Sequence, residues 1–600
     1  MKRVSQASSP AFIAVGRSLK GLTTVFAWSV FSLASATLYE VGPARRYVSI
    51  GEVPWESLEA GDVVLIYCRD EPYREKWVIC REGTEPAPII VRGIPNKSGK
   101  LPTIEGIDAT TRSELNYWNE ERGVIKIGGA NSPPDCLPKN IVIENLDIKS
   151  GRPPYSFTGR YGHTEYSSNA SAIYVEKGEN ITIRNCILRD CGNGFFCASG
   201  ASNVLVEGCY IYDNGIEGSI YEHNNYTEAN GIVFQYNHFG PLRDECLGNN
   251  LKDRSAGCVV RYNWIESGNR QLDLVDSDHS HILESPTYRA TYVYGNILIE
   301  PDGAGNSQVC HYGGDSGDTD RYRKGILYFY NNTVISTRAG NTTLFRLSSA
   351  DETCDCRNNI VYTTASGSHL AVTNDKGTDS LTSNWLKENW TKSHSNPEAI
   401  VNDLSGNIVG AEPGFLDFDN QKFGLVAGSA CVDNGGDLAS AVLPGHDVLR
   451  QYVKHQRGPG RYNDGKLDIG ALEYDADTDE DGIPDRCELR YFSDLTEMTP
   501  SSDHDGDGLL DWQECVAGTN PRDSLSRLAI EEVRMTGGSE VVLDWLSVAG
   551  ARYAVTFTPQ PTKHAFVRVA GHIQGTPPAN TYTLPLAPLR EAYYRVEVEE

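Results

Sequence analysis

The chain has 600 residues, with 80 acidic against 54 basic side chains and a formal net charge of −26. That balance excludes a general nucleic-acid binder, whose phosphate partner demands the opposite sign. The length exceeds one compact domain, which leaves several domains or a solenoid that grows along one axis.

Lys2, Arg3, Arg17 and Lys20 are followed by an apolar run over residues 22–33 and then Ala34-Ser35-Ala36. This pattern predicts a secretory signal peptide over residues 1–36, cleaved after Ala36, and hence an extracellular, periplasmic or cell-surface protein. The run is too short to span a bilayer and no later stretch approaches the required length, so no transmembrane segment is expected. Cleavage removes four positive and no negative residues, which leaves −30.

Between residues 140 and 362 the chain restates one phrase. It reads NIVIENLDI at Asn140, NITIRNCIL at Asn180, NVLVEGCYI at Asn203 and GIVFQYNHF at Gly231. It continues as GCVVRYNWI at Gly257, YVYGNILI at Tyr292, LYFYNNTVI at Leu327 and CDCRNNIVY at Cys354. Each phrase is a short alternating run, a corner at Asn or Gly, and a second apolar pair: a strand, a bend and a strand. Aligned on Asn145, Asn185, Gly208, Asn237, Asn263, Asn296, Asn332 and Asn359, the steps are 40, 23, 29, 26, 33, 36 and 27 residues. One such unit cannot bury its apolar face alone and must stack on copies of itself. The fold class is therefore all-β, a right-handed parallel β-helix solenoid over residues 37–474, with Asn ladders inside the corners. Most of the 15 cysteines are expected to pack inside it as small apolar groups, and Cys354 and Cys356, at i and i+2, not to bridge.

The opening phrases SLEAGDVVLIY, GTEPAPIIVRG and LPTIEG, and the later AEPGFLDFDNQKFGLVAGSACVDNGG and KLDIGALEY, resemble the first and closing coils of secreted pectate-lyase-like and alginate-lyase-like proteins. The resemblance covers roughly residues 38–474 and implies a polysaccharide substrate.

Residues 475–523 carry fifteen acids and three bases. Asp477, Asp479, Asp481, Gly482, Asp485 and Glu488 recur 26 residues later as Asp503, Asp505, Asp507, Gly508, Asp511 and Glu514. Both copies read D-x-D-x-D-G-x-x-D-x-x-E, an EF-hand-like loop whose carboxylates ligate Ca2+ and whose Gly permits the turn. The stretch 475–525 resembles thrombospondin type 3-like calcium repeats, which implies a stiff spacer. Residues 526–600, with VVLDWLSV, RYAVTF and YYRVEVE, suggest a small, loosely fibronectin-like β-sandwich accessory domain. Attachment to a cell surface through these modules is a further expectation.

Function on a solenoid lies where successive coils present polar side chains in one outward column. Fifteen residues past the corner lie His223, Lys252 and His311, and the intervening coil offers Asp273 and Asp276 at ten and thirteen. With coils about 4.8 Å apart, His223 and His311 are expected roughly 14 Å from each other. Alternation places Asn250, Lys252 and Arg254 on one face and Leu251 and Asp253 on the other. A uronate lyase neutralises the sugar carboxylate, removes the C5 proton and protonates the departing O4. Arg254 suits the carboxylate, Lys252 suits the base if the neighbouring cation lowers its pKa, and His223 or Tyr226 suits the acid. Asp273 and His311 complete the expected catalytic set, with Asn225, Asn250, Arg270 and Asp276 binding substrate. Alginate-lyase-like members pair such a lysine with an arginine on the next coil, where this chain has Val275; Arg254 or Arg270 would take its place. A cleft calcium on Asp273 and Asp276 is a further reading. His163, His369 and His455 are expected at the surface, away from the column. Two alternatives stay open: a glycoside hydrolase pairing Asp273 or Asp276 with Glu222 or Asp253, and a non-catalytic glycan-binding protein.

Overall fold

The computed structural model describes residues 36–456, 460–462, 465–536, 540–548, 551–585 and 592–598. Apart from Ala36, the leader expected over residues 1–36 lies outside the described residues. Residues 38–410 wind as parallel coils with three strand faces. The first face runs from Leu38–Val41 through Val63–Tyr67 and Ile89–Ile94 to Ile400–Asp403. The second runs from Glu75–Ile79 and Gly123–Ile127 to Leu370–Thr373. The third is an eleven-stranded sheet ending at Ile408–Gly410. Three long strands, Ser171–Arg184, Asn193–Glu207 and Asn225–Gln235, bend across the first two faces.

Parallel register stacks like on like inside. Ile141, Ile181, Val204, Ile232 and Cys258 lie level on consecutive coils, all essentially buried. Burial of each large aliphatic side chain contributes about 1.5–3 kcal/mol, and the stacking makes the core continuous along the axis. Cys186, Cys191, Cys197, Cys209, Cys258, Cys310, Cys354 and Cys356 are buried and unbridged, so they pack as small apolar groups.

At one corner, Asn237, Asn263, Asn296, Asn332, Asn359, Asn384 and Asn407 form a ladder. Each carboxamide oxygen from Asn263 onward accepts the backbone N–H and the Nδ2–H of the asparagine one coil earlier, at 2.9–3.1 Å. The residue before each rung carries the left-handed bend, for example Tyr236 (φ 56) and Gly295 (φ 66). Asn145, Asn185 and Gly208 occupy that bend rather than the rung, and Leu146, Cys186 and Cys209 fill the rung behind them. The ladder outlasts the phrases recognisable in the sequence by two coils, because Asn384 and Asn407 keep the amide without the alternating run.

Residues 530–598 form two three-stranded antiparallel sheets. Ile530–Thr536, Glu540–Leu546 and Ala579–Pro585 make one, and Val567–Gln574, Arg552–Thr558 and Tyr593–Val598 the other. They share a core of Leu543, Trp545, Tyr553 and Val555. Phe557 and Val567 pack on Val63, Leu65, Tyr67, Ile90 and Ile94 of the first coils, and Lys97 Nζ donates to the Pro561 carbonyl at 2.6 Å. This module lies against the solenoid rather than at the end of a free tether. No helix among the described residues is long and apolar enough to cross a membrane.

Candidate functional site

On the second face, the parallel register lines up one outward residue per coil: Lys126, Tyr174, Phe196, Tyr226, Lys252, Asp273, His311 and Arg346. From Phe196 to Arg346 this line forms one wall of a cleft of about 870 Å³, which His223, Arg254, Arg270 and Asp315 also line. Leu251 and Asp253 turn inward on either side of Lys252 and are fully buried, as alternation requires.

Lys252 Nζ donates to Asp273 Oδ2 at 2.6 Å and to Asp315 Oδ2 at 2.6 Å. Arg254 donates from Nη2 to Asp315 Oδ1 at 2.7 Å, from Nε to the Tyr226 hydroxyl at 3.1 Å, and from Nη1 to the Asp276 carbonyl. Two cations thus clasp one carboxylate, that of Asp315. Burial alone would lower the Lys252 pKa, but Asp273 and Asp315 outweigh it and hold the ammonium above its ordinary value. The expectation of a lowered Lys252 fails here, because the repulsion from Arg254 is smaller than the attraction of two carboxylates. Burial likewise pushes Asp273 up, and Lys252, His311 and Arg270 reverse it, leaving the acid well below the carboxylate range. Asp315 is lowered in the same way by Lys252 and Arg254 against burial.

His311 is fully engaged. Its Nδ1 lies 2.7 Å from Asp273 Oδ1 and its Nε2 lies 2.8 Å from Ser348 Oγ, so the ring orients Asp273 and has no nitrogen left for a ligand. His223 is different. Its Nδ1 accepts the Asn249 backbone N–H at 2.8 Å, which puts the ring proton on Nε2. Burial first, then Lys252, lowers its pKa to about 3. His223 is therefore a neutral N–H donor, packed edge-on against Tyr226 with centroids 5.5 Å apart.

The fifteen-residue offset misplaces one member: Tyr226, not His223, is level with Lys252. His223 reaches the cleft from the preceding turn: the bend at Gly208 accounts for one of the three residues between His223 and Tyr226, and a turn two residues longer than that after Asn237 accounts for the others. Asn225 and Asn250 do not face the cleft. Asn225 Nδ2 donates inside to Thr227 Oγ1 and the Lys252 carbonyl. Asn250 Nδ2 donates to the Gly240 and Glu266 carbonyls, and its oxygen accepts from Asn224. Asn250 precedes the strand Leu251–Asp253, where strand alternation no longer applies and a corner amide satisfies carbonyls. Asp276 is buried too and accepts the N–H groups of Asp315 and Ser316 at 2.8 and 3.3 Å; it pins the loop that delivers Asp315. Arg270 lines the cleft and forks onto Gln308 Oε1 at 3.2 and 2.8 Å. With donors around both Asp273 and Asp276, the two do not make a cation site in the cleft. Val275 is buried and offers the cleft nothing.

The sequence reading missed Asp315 and Arg346. HYGGDSGD was visibly polar, but only the fold-back of the loop puts its acid on Lys252. Of the three outlying histidines, His163 is exposed and His369 half-buried, bonded to Asn341. His455 is no free surface group: it stacks on His238 at 3.9 Å, and burial and that neighbour lower its pKa to about 4.

In the acidic stretch, the carboxylate oxygens of Asp477, Asp479 and Asp481 converge within 4.8 Å, as do those of Asp503, Asp505 and Asp507. Glu488 and Glu514 are buried behind them, with Glu488 Oε1 and Oε2 and Glu514 Oε2 making no hydrogen bond. An all-oxygen set with an orphaned buried carboxylate fits a hard cation. Asp485 and Asp511 turn back instead, accepting from the backbone of Thr478 at 2.7 Å and of His504 at 2.9 Å. The Cys487–Cys515 disulfide joins the helices Asp485–Tyr491 and Asp511–Ala517 that follow the loops.

Residues 121–296 match the family described as right handed beta helix region. The solved structures similar in fold include an alginate lyase from Paenibacillus sp. str. FPU-7, 10% identical over 60% of this chain and 95% of that one, with a TM-score of 0.34. Pectate lyase Pel9A is 11% identical over 74% of this chain and 97% of its own, with a TM-score of 0.40. The Streptococcus pneumoniae surface protein and adhesin PfbA is 10% identical over 57% and 89%, with a TM-score of 0.34. No curated protein sequence matches the chain. Coiling, register and family match agree on a right-handed parallel β-helix, and likeness at these identities goes no further than fold.

Proposed function

We propose that this chain is a secreted polysaccharide lyase that cleaves an acidic, uronate-containing glycan by β-elimination. The observation that carries the reading is the clasp on Asp315: Lys252 and Arg254 hold a carboxylate between them at the bottom of an open cleft. A uronate carboxylate entering there meets an ammonium and a guanidinium already positioned to neutralise it, which acidifies the C5–H. Tyr226, whose phenolic oxygen accepts from Arg254, is the proposed base; it takes that proton as the phenolate, its own proton having first passed to solvent. As the C4–O4 bond breaks, the protonated Lys252 supplies a proton to O4, and the neutral His223 N–H steadies the developing charge. Lysine thus acts as cation and acid rather than as the base its spacing suggested.

The hydrolase reading is weaker on this geometry. It needs one protonated and one ionised carboxyl group; of its candidate partners, Asp253 is fully buried inside the coil and Asp276 is turned onto the loop backbone, which leaves Asp273, held ionised by Lys252, with Glu222 of the cleft wall as the pair to measure. The test is a panel of acidic and neutral polysaccharides assayed for the ultraviolet absorbance of an unsaturated product and for new reducing ends. Elimination is expected to give both signals on a uronate polymer, and Tyr226→Phe to reduce the rate by about 10²-fold or more. Reducing ends without absorbance would replace the lyase by a hydrolase; neither signal on any polymer would leave a binding protein.

For residues 475–525 we propose a calcium-holding spacer of thrombospondin type 3-like character. In it, the three aspartates and the buried glutamate of each loop bind Ca2+ and Asp485 and Asp511 shape the loops, while residues 526–600 serve as an accessory module, fibronectin-like in character. Calcium at a hundredfold excess over its Kd is expected to stabilise this stretch by about 2.7 kcal/mol per loop. Calorimetry with and without chelator measures it, and a Glu488→Gln/Glu514→Gln variant that responds to calcium like the parent would overturn the assignment.

A further inference from the structure

We propose that the glycan surface continues along the solenoid axis to a ring-stacking site on Trp118 and Tyr161 that takes an uncharged sugar, and hence that the substrate is a mixed polymer in which uronates alternate with neutral units. The inference rests on the lyase reading for its acidic end and on separate observations for its neutral end.

The first observation is position. Lys126 stands four coil steps before Lys252 in the outward line, roughly 19 Å away at the spacing of paired strands. Lys126 Nζ donates to the Trp118 carbonyl, so the backbone of Trp118 lies at that row. Nineteen ångströms is the length of several linked sugar rings. Between the two ends the buried Tyr174 and the half-buried Phe196 and Tyr226 fill the intervening rows, and the Arg122 guanidinium lies 4.7 and 4.6 Å from the Tyr174 and Phe196 ring centroids. Arg122 and Asn169, which line the cleft, are one and five residues along the chain from Glu121 and Thr164 of the far site.

The second observation is the built character of the far end. Trp118, Tyr161, Asn119, Asn131 and Thr164 line a separate hollow of about 170 Å³. Trp118 is 40% exposed and Tyr161, at the tip of the hairpin Ser156–Gly159/Gly162–Glu165, is 85% exposed. Two large aromatic side chains exposed at one hollow form an amphipathic surface of the kind that sugar rings stack on. The indole is also held in orientation, Nε1 donating to Asn131 Oδ1 at 3.1 Å and Lys177 Nζ lying 5.6 Å from its centroid.

The third is a change of charge. The cleft presents five bases, Arg122, Lys252, Arg254, Arg270 and Arg346, against four acids, Glu222, Asp273, Asp278 and Asp315. The charged residues lining the far hollow are Glu120 and Glu121, and the two nearby lysines, Lys126 and Lys177, are paired with Glu176 and Asp135. A second uronate is disfavoured there, whereas hydroxyl groups of a neutral ring find carboxamide and carboxylate partners around an aromatic floor.

The experiment is native electrophoresis of the full chain through gels containing polygalacturonate, in which every sugar is charged, or hyaluronan or xanthan, in which uronates are separated by uncharged sugars. The parent is expected to be retarded more strongly by a mixed polymer. Trp118→Ala and, independently, Tyr161→Ala are expected to weaken that retardation severalfold, to the polygalacturonate level. Arg254→Gln removes retardation by every acidic polymer if the cleft reading holds. Retention in Arg254→Gln with loss in Trp118→Ala would sink the lyase cleft and leave the far site standing. Parent-like migration of both aromatic variants, stronger retardation by polygalacturonate, or no retardation of the parent in any gel would overturn the inference.

Discussion

A Lys252→Ala variant is expected to lose both turnover and about 3–5 kcal/mol of stability. The cause is the partner left behind. Asp273 is 2% exposed and relies on Lys252, the His311 ring and Asn249 for its charge; removing the ammonium leaves an ionised acid short of its strongest compensation in a low-dielectric site. Urea unfolding read by fluorescence measures the loss. Placing Asp273→Asn in the same chain is expected to recover part of it, so that the two substitutions together cost less than the sum of each alone. Strict additivity would mean that the two side chains do not share charge in the folded protein. Lys252→Arg, which keeps the cation, is expected to retain most of the stability while its larger fork crowds Asp315 and disturbs catalysis.

The second large effect concerns a residue far from the cleft. Asp379, on the strand Thr378–Thr382, lies in the interior level with Cys354 and Val401. It is fully buried, with neither carboxylate oxygen making a well-formed hydrogen bond. Burial pushes its pKa up to about 8, so the folded chain holds a proton that the unfolded chain releases near the ordinary carboxylate value. The sign follows: this group's contribution is fully present below the unfolded pKa near 4 and is lost as pH rises toward 8, levelling off above it. Asp379→Asn is therefore expected to flatten the alkaline side of the stability profile, gaining on the order of 2–5 kcal/mol over the parent at pH 9 and much less at pH 5. Urea midpoints at the two pH values provide the check, and parallel shifts of parent and variant would show that the acid is ionised, or solvated, inside the fold.

The coiling was legible in the sequence because a solenoid repeats its physical constraints: every corner needs a left-handed bend and every interior rung an apolar or self-pairing group. Asn237, Asn263, Asn296, Asn332 and Asn359 announced this directly. Asn384 and Asn407 did not, because their amides do the same work without the alternating run that made the other coils recognisable. Within the cleft, Lys252, Arg254, Tyr226 and Asp273 were found from polarity and spacing, but the raised pKa of Lys252 was not, since part of it comes from Asp315, 63 residues along the chain. Asn250 was misread for the opposite reason: at a corner, backbone carbonyls claim a side chain that strand periodicity would have sent outward.

The loop carrying Asp315 has a consequence for what the cleft can capture. Asp276 grips its backbone at one end, and at the other the fully buried Arg323 donates to the Ser255 carbonyl at 2.9 Å. A tethered acid held this way confronts Lys252 and Arg254 at a far higher effective concentration than any free anion in solution. Acetate or a lone uronic acid competes poorly against it, whereas a polymer anchored at many points can exchange its own carboxylate into the clasp. On the lyase reading, the clasp would thereby ignore small acids and respond to chains.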